Sequence, residues 1–168
     1  MAGDPASAQG PSVTFRGRVG PEWIDANRHM NVSAYDRVFD AAEKAFFEEF
    51  GVGDAYIRRT GLTCFRLEKH VRYERELLEG DPLEVRSRVA WTDFRRIHHF
   101  HELWNVEAGY RAAFADSLSI HVDLGRRKSA IVELPEIRRP LERLANAHAA
   151  LPSPAGMAPR VNGRRVGP

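Results

Sequence analysis

Apolar residues recur at helical spacing over one long stretch, which runs from Val32 to about Phe50. The stripe consists of Val32, Tyr35, Phe39, Ala42, Phe46 and Phe50, and it is widened by Val38, Ala41 and Ala45. A stripe of this width predicts a helix that lies against a sheet. Its predicted outer face is polar, with Asp36, Asp40, Glu43 and Lys44. The helix N-cap is either Asn31, or Ser33 in a weak capping box with Asp36.

From about Leu62 the pattern changes to that of strands. Four strands are predicted, at residues 62–76, 83–94, 96–106 and 110–124. A first strand is predicted at 12–20, a short helical turn at 54–60 and a C-terminal helix at 135–150. The breaks between the four strands are short, so we expect antiparallel neighbours. One amphipathic helix cannot cover both faces of such a sheet, so the second face is either solvated or covered by another subunit. The pattern favours an α+β protein that oligomerises.

The length of 168 residues allows one domain with a proper core, which we place at residues 12–151. Residues 1–11 are interpreted as a disordered leader and residues 152–168 as a flexible basic tail. The net charge of +2 gives no strong nucleic-acid signature, and no apolar run approaches the roughly 18 residues of a membrane helix. Cys64 is the sole cysteine, which excludes an internal disulfide and favours a cytoplasmic location.

The densest group of reactive side chains lies directly before the long helix, in Asp25-Ala26-Asn27-Arg28-His29-Met30-Asn31. A carboxylate, an imidazole and two amides fall together there. Free backbone N–H groups and the positive end of the helix dipole point toward this position. Such a place suits a negative charge that develops during a reaction. From the residues alone, Asp25 is either a catalytic carboxylate or a loop aspartate that caps the helix.

Residues 23–31, followed by Tyr35, are similar to a known motif, Asp-x-x-Gly-His-Met/Val-Asn with a tyrosine four residues on. The chain resembles the hotdog-fold acyl-CoA thioesterases of the 4-hydroxybenzoyl-CoA thioesterase type. It looks closest to the betainyl-CoA thioesterases of carnitine catabolism. That closer resemblance rests on residues 21–25, 68–73, 79–83, 121–124 and 147–152.

The resemblance implies a long central helix wrapped by an antiparallel sheet of about five strands, with a C-terminal helix. It also implies hydrolysis of a short polar acyl-CoA, such as betainyl-CoA, to CoA and the free acid, without a metal or organic cofactor. The expected assembly is a homodimer or homotetramer with no nucleic-acid or membrane partner. By resemblance, Asp25 is the nucleophile or general base, and His29 and Asn31 position water or the thioester carbonyl.

Six residues are expected to contact the substrate: Trp23, Asn27, Arg28, Tyr35, Glu68 and His70. Arg28 departs from the family pattern, in which glycine permits φ > 0 and a close approach of the backbone to a ligand. Arg28 instead offers a guanidinium to a substrate carboxylate or a CoA phosphate. Structural alternatives stay open for two of the proposed catalytic residues, since His29 could pack and Asn31 could cap the helix. They also stay open for three of the substrate contacts: Tyr35 as a core residue, and Glu68 and His70 as a structural pair.

Three histidines, His98, His99 and His101, suggest metal ligands at first sight. On a strand, His99 and His101 share one face and His98 points the other way. A third ligand is not evident, so no metal site is predicted. Cys64 has no evident activating partner and is interpreted as a small buried hydrophobe.

A trimethylammonium substrate needs an aromatic cage. The candidates are Trp23, Tyr73, Trp91, Phe94 and Trp104, and the sequence does not distinguish among them. The alternative to an enzyme is a non-catalytic hotdog module that binds acyl-CoA or acts only in assembly. Asp25 favours the enzyme, because a binding module does not need it, whereas Arg28 keeps the alternative open.

Overall fold

The computed structural model describes residues 10–161 and 164–165, with side chains for residues 10–159. Nearly all of the predicted leader, residues 1–9, lies outside the described residues. The helices are α1 Val32–Glu49, α2 Asp54–Thr60 and α3 Pro135–Ala149. The strands are β1 Ser12–Arg18, β2 Leu62–Tyr73, β3 Pro82–Thr92, β4 Arg96–Asn105, β5 Tyr110–Asp123, β6 Lys128–Ser129, β7 Arg160–Val161 and β8 Arg164–Arg165. In the part of the chain that is described, no helix is both long and apolar enough to span a membrane.

The five long strands form one antiparallel sheet in the order β1-β3-β4-β5-β2, and β6 adds to β5. The pairs β3–β4 and β4–β5 are hairpins with the short connections that the sequence predicts. The pairs β1–β3 and β2–β5 join strands that are distant in sequence, and α1 lies between β1 and β2. This order leaves β2 as an edge strand of the sheet.

Helix α1 packs along one face of the sheet, here called the inner face. Phe39 belongs to one buried cluster with Val85 and Leu103, and Phe46 belongs to a second with Ile97. Each of these side chains is at most 1% exposed. A long helix wrapped by an antiparallel sheet is the architecture that the resemblance implies.

The buried stripe of α1 is shifted relative to the predicted one. Val32 is 58% exposed, whereas Phe47 is buried. Glu43 was expected on the polar outer face but is buried, because Arg66 of β2 reaches it with bonds of 2.8 and 3.0 Å to Oε2. Burial raises the pKa of the Glu43 carboxyl, although the positive charge of Arg66 acts to lower it. An ion pair with a strand therefore places one acidic residue on the packed side of the helix.

The opposite face of the sheet, here called the outer face, is partly covered by residues 152–158, the covering segment. Arg88 Nη1 donates to the carbonyl of Pro152 at 2.8 Å, and Arg111 Nη1 donates to the carbonyl of Ala155 at 2.9 Å. Ala158 N–H donates to Asp116 Oδ2 at 3.1 Å. The sequence predicts that this face is either solvated or covered by another subunit. In the structure, residues of the same chain cover part of it. The flexibility of the predicted tail stays a prediction, and residues 162, 163 and 166–168 lie outside the described residues.

Helix α3 lies beside the half of β3 that β1 does not pair. Buried Ile137 and Leu141 join the second core cluster, and His148 stacks on Phe46 with ring centroids 6.3 Å apart. Val89 lies beyond Ser87, where the pairing of β3 with β1 ends, and its N–H donates to His148 Nδ1 at 3.0 Å. The helix therefore satisfies a strand donor that the sheet leaves unpaired.

Candidate active site

The loop before α1 forms a compact turn that brings residues 24–31 together. Ile24 and Met30 form an isolated antiparallel bridge. Asp25 N–H donates to the His29 carbonyl at 3.1 Å, and Arg28 N–H donates to the Asp25 carbonyl at 2.9 Å. Arg28 has φ +65°, the left-handed conformation that the family glycine adopts easily. The loop geometry is therefore kept although the glycine is replaced.

The Asp25 carboxylate is held by two neighbouring amides. Oδ1 accepts the Asn27 N–H at 2.8 Å, and Oδ2 accepts the Asn31 side-chain amide at 3.2 Å. The bond from Asn27 is the main cause of a lowered pKa of Asp25; the Asn31 amide and the nearby His29 lower it further. Asp25 is consequently a carboxylate at neutral pH, which is the form that a nucleophile or general base requires.

Asn31 joins Asp25 to the helix start. Its Oδ1 accepts the Ser33 N–H at 2.9 Å, while its Nδ2 donates to Asp25. Asn31 is thus the N-cap of α1, one of the two caps that the sequence allowed. The carboxylate is fixed next to the positive end of the helix dipole as a result.

His29 is half-buried on the same turn. Its Nδ1 donates to the Met30 carbonyl at 3.2 Å and lies 4.0 Å from Asp25 Oδ1. Met30 N–H in turn donates to the Leu77 carbonyl at 2.8 Å, which ties the loop to the segment after β2. The contact with the Met30 carbonyl places a proton on Nδ1.

An open cleft of about 370 Å³ adjoins this loop. It lies between the start of α1 and the end of β2, and its lining consists of His29, Met30, Val32, Tyr35, Tyr73, Glu74, Arg75 and Glu76. Tyr35 is 4% exposed and packs edge-to-face on Tyr73, with ring centroids 5.1 Å apart. Burial raises the pKa of Tyr35 to about 12, so its hydroxyl stays protonated. The cleft wall from Tyr73 to Glu76 was missed by sequence reasoning except for Tyr73.

Four of the six predicted substrate contacts lie on or beside the loop. Asn27 and Arg28 are exposed on it, and Tyr35 lines the cleft. Trp23 is half-buried against the core below the loop, and its carbonyl accepts the Asn31 N–H at 2.7 Å.

The other two, Glu68 and His70, lie on the outer face. His70 packs on Phe114 there, with ring centroids 6.2 Å apart, whereas Lys69, which lies between Glu68 and His70, faces α1 and pairs with Asp36. Alternation along a strand separates the two sets. Within one chain, Glu68 and His70 therefore do not reach the cleft.

The three histidines divide between the faces as predicted. His98 Nε2 lies 2.5 Å from Asp116 Oδ1 on the outer face. His99 Nδ1 and His101 Nε2 are 2.7 Å apart on the inner face, and the pair is flanked by Ser119 and Ser87.

Glu43 of α1 is a third potential ligand that sequence reasoning missed, because it comes from another element. Among the described residues, Glu43, His99 and His101 place their ligand atoms within 4.8 Å of one another. Burial lowers the pKa of His101 to about 3, so its ring is neutral. These atoms already bond to one another, to the two serines or to Arg66, so they satisfy each other as a polar network. Cys64 is half-buried, and desolvation raises the pKa of its thiol to about 12.

A family model described as the thioesterase-like superfamily matches residues 19–145. The chain belongs to this superfamily. A betainyl-CoA thioesterase from Pseudomonas aeruginosa is 34% identical to it over 145 residues, which are 86% of this chain and 91% of that protein. An L-carnitine dehydrogenase/betainyl-CoA thioesterase from Rhizobium meliloti is 30% identical over 159 residues, which are 94% of this chain but only 32% of that longer protein.

The fold of this thioesterase-superfamily chain is also found in solved structures. A Staphylococcus aureus hypothetical protein in complex with CoA superposes with a TM-score of 0.80 at 22% identity, covering 90% of this chain and 96% of that one. The hotdog fold expected from the motif is thereby confirmed, and the chain is a thioester hydrolase.

Proposed function

We propose that the chain is an acyl-CoA thioesterase that hydrolyses betainyl-CoA to CoA and betaine, with Asp25 as nucleophile or general base. The observation that carries this proposal is the Asp25 carboxylate, held by Asn27 and Asn31 at the start of α1 beside an open cleft. The names of the Pseudomonas aeruginosa and Rhizobium meliloti relatives support the acyl group.

Either role of Asp25 leads to the same products. As general base, Asp25 takes a proton from a water molecule whose oxygen attacks the thioester carbon; the C–S bond then breaks and the CoA sulfur takes up a proton. As nucleophile, a carboxylate oxygen attacks the carbon and displaces CoA, and water then hydrolyses the resulting anhydride. In both cases the carbonyl oxygen gains negative charge near the positive end of α1, which favours it.

The test is Asp25→Asn, with Asp40→Asn as the matched control. Asp40 is an exposed carboxylate on α1, away from the loop. Loss of a positioned base costs on the order of 10²–10⁴ in rate, so kcat for betainyl-CoA should fall by that factor in Asp25→Asn and stay near wild type in the control. The release of free thiol measures the rate. A folded Asp25→Asn protein with nearly unchanged kcat would overturn the role of Asp25.

The backbone at Arg28 favours the enzyme over the non-catalytic module. Arg28 was the residue that kept the module in consideration, because it replaces the glycine of the motif. Its φ of +65° leaves the turn around Asp25 closed by the Asn27 and Asn31 bonds. The side chain is exposed and does not belong to the lining of the cleft.

We also propose a homodimer in which the β2 strands of two copies pair edge to edge. β2 ends the sheet order, and an unpaired edge is a ready template for another strand. Phe65, Leu67 and Tyr73 on β2 are large apolar side chains that are 46–53% exposed. Light scattering at micromolar concentration should give the mass of a dimer, and Leu67→Lys should shift it toward the monomer. A wild-type monomer that is fully active would contradict this proposal.

A further inference from the structure

The lining of the cleft combines two tyrosine rings with two carboxylates and one guanidinium. Tyr35 and Tyr73 meet at an interplanar angle of 83°, so that their rings form two walls of a corner. Glu74, Arg75 and Glu76 continue the wall after Tyr73. The electron-rich faces of such rings attract organic cations, and nearby carboxylates add to the attraction.

The two carboxylates differ in their availability. Glu74 is occupied by Arg111, which donates to both of its oxygens at 2.8 Å. Glu76 forms no ion pair with the described residues, and its charge contributes to the raised pKa of Tyr35, which places it near that ring. Arg75 also lines the cleft, and its guanidinium stacks 4.0 Å from the ring centroid of Tyr110. Glu76 is therefore available to a cation that enters the corner.

The other aromatic candidates already have different partners. An arginine lies over each of the rings of Trp91, Phe94 and Trp104, at 5.4, 3.7 and 4.9 Å from the centroid. Trp23 packs against the core below the loop. Of the five aromatic residues suggested by the sequence, Tyr73 is the one that lines the cleft.

We propose that the corner formed by Tyr35 and Tyr73, with Glu76 beside it, is a binding subsite for a quaternary ammonium group of the acyl chain. This inference rests on the proposed function and extends it to named specificity residues. In a betainyl group one methylene separates the ammonium nitrogen from the thioester carbonyl. A cation in the corner therefore keeps that carbonyl within the same cleft, which His29 of the Asp25 loop also lines.

The experiment compares betainyl-CoA with 3,3-dimethylbutanoyl-CoA, a neutral isostere in which carbon replaces the charged nitrogen. The two substrates share shape and CoA, but the ammonium group also activates the betainyl carbonyl. The test is therefore the change in the ratio of the two kcat/KM values between wild type and variant, in which this intrinsic activation cancels. Loss of a cation–π contact of about 0.5–2 kcal/mol corresponds to a fall in this ratio of roughly 2- to 30-fold. We expect Tyr73→Leu and Glu76→Gln each to lower this ratio, and Tyr73→Phe to keep it because the ring face remains. Trp91→Leu is the matched control for loss of an aromatic side chain elsewhere and should leave both rates unchanged.

The outcomes separate the subsite from the thioesterase proposal. Hydrolysis of both substrates with equal kcat/KM, or an unchanged ratio in folded Tyr73→Leu, would overturn the subsite and leave the thioesterase standing. If no acyl-CoA were hydrolysed, the proposed function would fail. The subsite would then be judged by calorimetric titration of betainyl-CoA and its isostere into wild type and Tyr73→Leu, in which equal affinities in wild type would overturn it.

Discussion

Protonation of His148 should destabilise the fold in mild acid. His148 is 4% exposed, and its Nδ1 accepts the N–H of Val89, which lies beyond the end of the pairing between β3 and β1. An imidazolium has no acceptor at Nδ1, so protonation breaks this bond and leaves a buried donor without a partner. Burial, with the charge of Arg88 as a second cause, lowers the pKa of His148 from 6.5 to about 4.

The sign and the size of the effect follow from these two pKa values. Between pH 6.5 and about pH 4, the unfolded chain binds a proton at His148 that the folded chain does not bind. Stability is therefore intact above pH 6.5 and falls by about 1.4 kcal/mol per pH unit below it. Between pH 7.5 and pH 5.0, His148 alone should remove about 2 kcal/mol from the free energy of unfolding.

The variant His148→Asn tests this assignment. Its amide oxygen can accept the Val89 N–H in place of Nδ1, and it does not titrate. Urea unfolding at pH 7.5 and 5.0, at one fixed protein concentration because assembly affects stability, gives four free energies. The loss between the two pH values should be about 2 kcal/mol smaller in the variant. His101 and the other titrating groups are common to both proteins and cancel in this difference. Equal losses in both proteins would refute the reasoning.

Two further substitutions test strained backbone positions. A left-handed conformation costs a non-glycine residue about 1–2 kcal/mol, whereas the greater loss of backbone entropy on folding costs glycine about 0.5–1 kcal/mol. Arg28→Gly should therefore stabilise the protein by up to about 1 kcal/mol in urea unfolding. A destabilised Arg28→Gly would argue against strain. Gly156 has φ +92° and a side chain there would overlap the Phe114 ring, whereas Gly80 has φ +84° in open space. Gly156→Ala should therefore lower Tm more than Gly80→Ala, and equal shifts would contradict the packing of the covering segment.

The elements of the fold could be predicted because each is encoded locally. The apolar stripe of α1 and the alternation in β3, β4 and β5 follow from neighbouring residues. The strand order could not be predicted in the same way, since β1 pairs β3 and β2 pairs β5 across intervening elements. The burial of Glu43 was missed for the same reason: its environment depends on Arg66 of β2, which periodicity along α1 cannot show.

In the candidate site, too, the residues that the sequence could reveal are close together along the chain, and those that it could not reveal come from distant elements. Asp25, His29 and Asn31 are close in sequence, so a single turn unites them and the motif could reveal them. The opposite wall of the cleft, from Tyr73 to Glu76, comes from the end of β2 and meets α1 only in the folded chain. Glu68 lies on the outer face of its own chain, because strand alternation, with a bulge between Arg66 and Glu68, turns it away from α1, and its predicted contact with the substrate stays a prediction.

The covering segment makes part of the outer face of the sheet inaccessible, whereas the edge of β2 stays accessible. Phe100 and Asp116 on the outer face are fully buried, and the segment bonds across this face to Arg88, Arg111 and Asp116. A second sheet could stack on that part of the face only by first displacing residues 152–158. Growth of an assembly through the edge of β2 requires no such displacement. Residues 152–158 therefore hinder stacking on that part of the outer face, and they leave the edge of β2 as the more accessible surface for the proposed dimer.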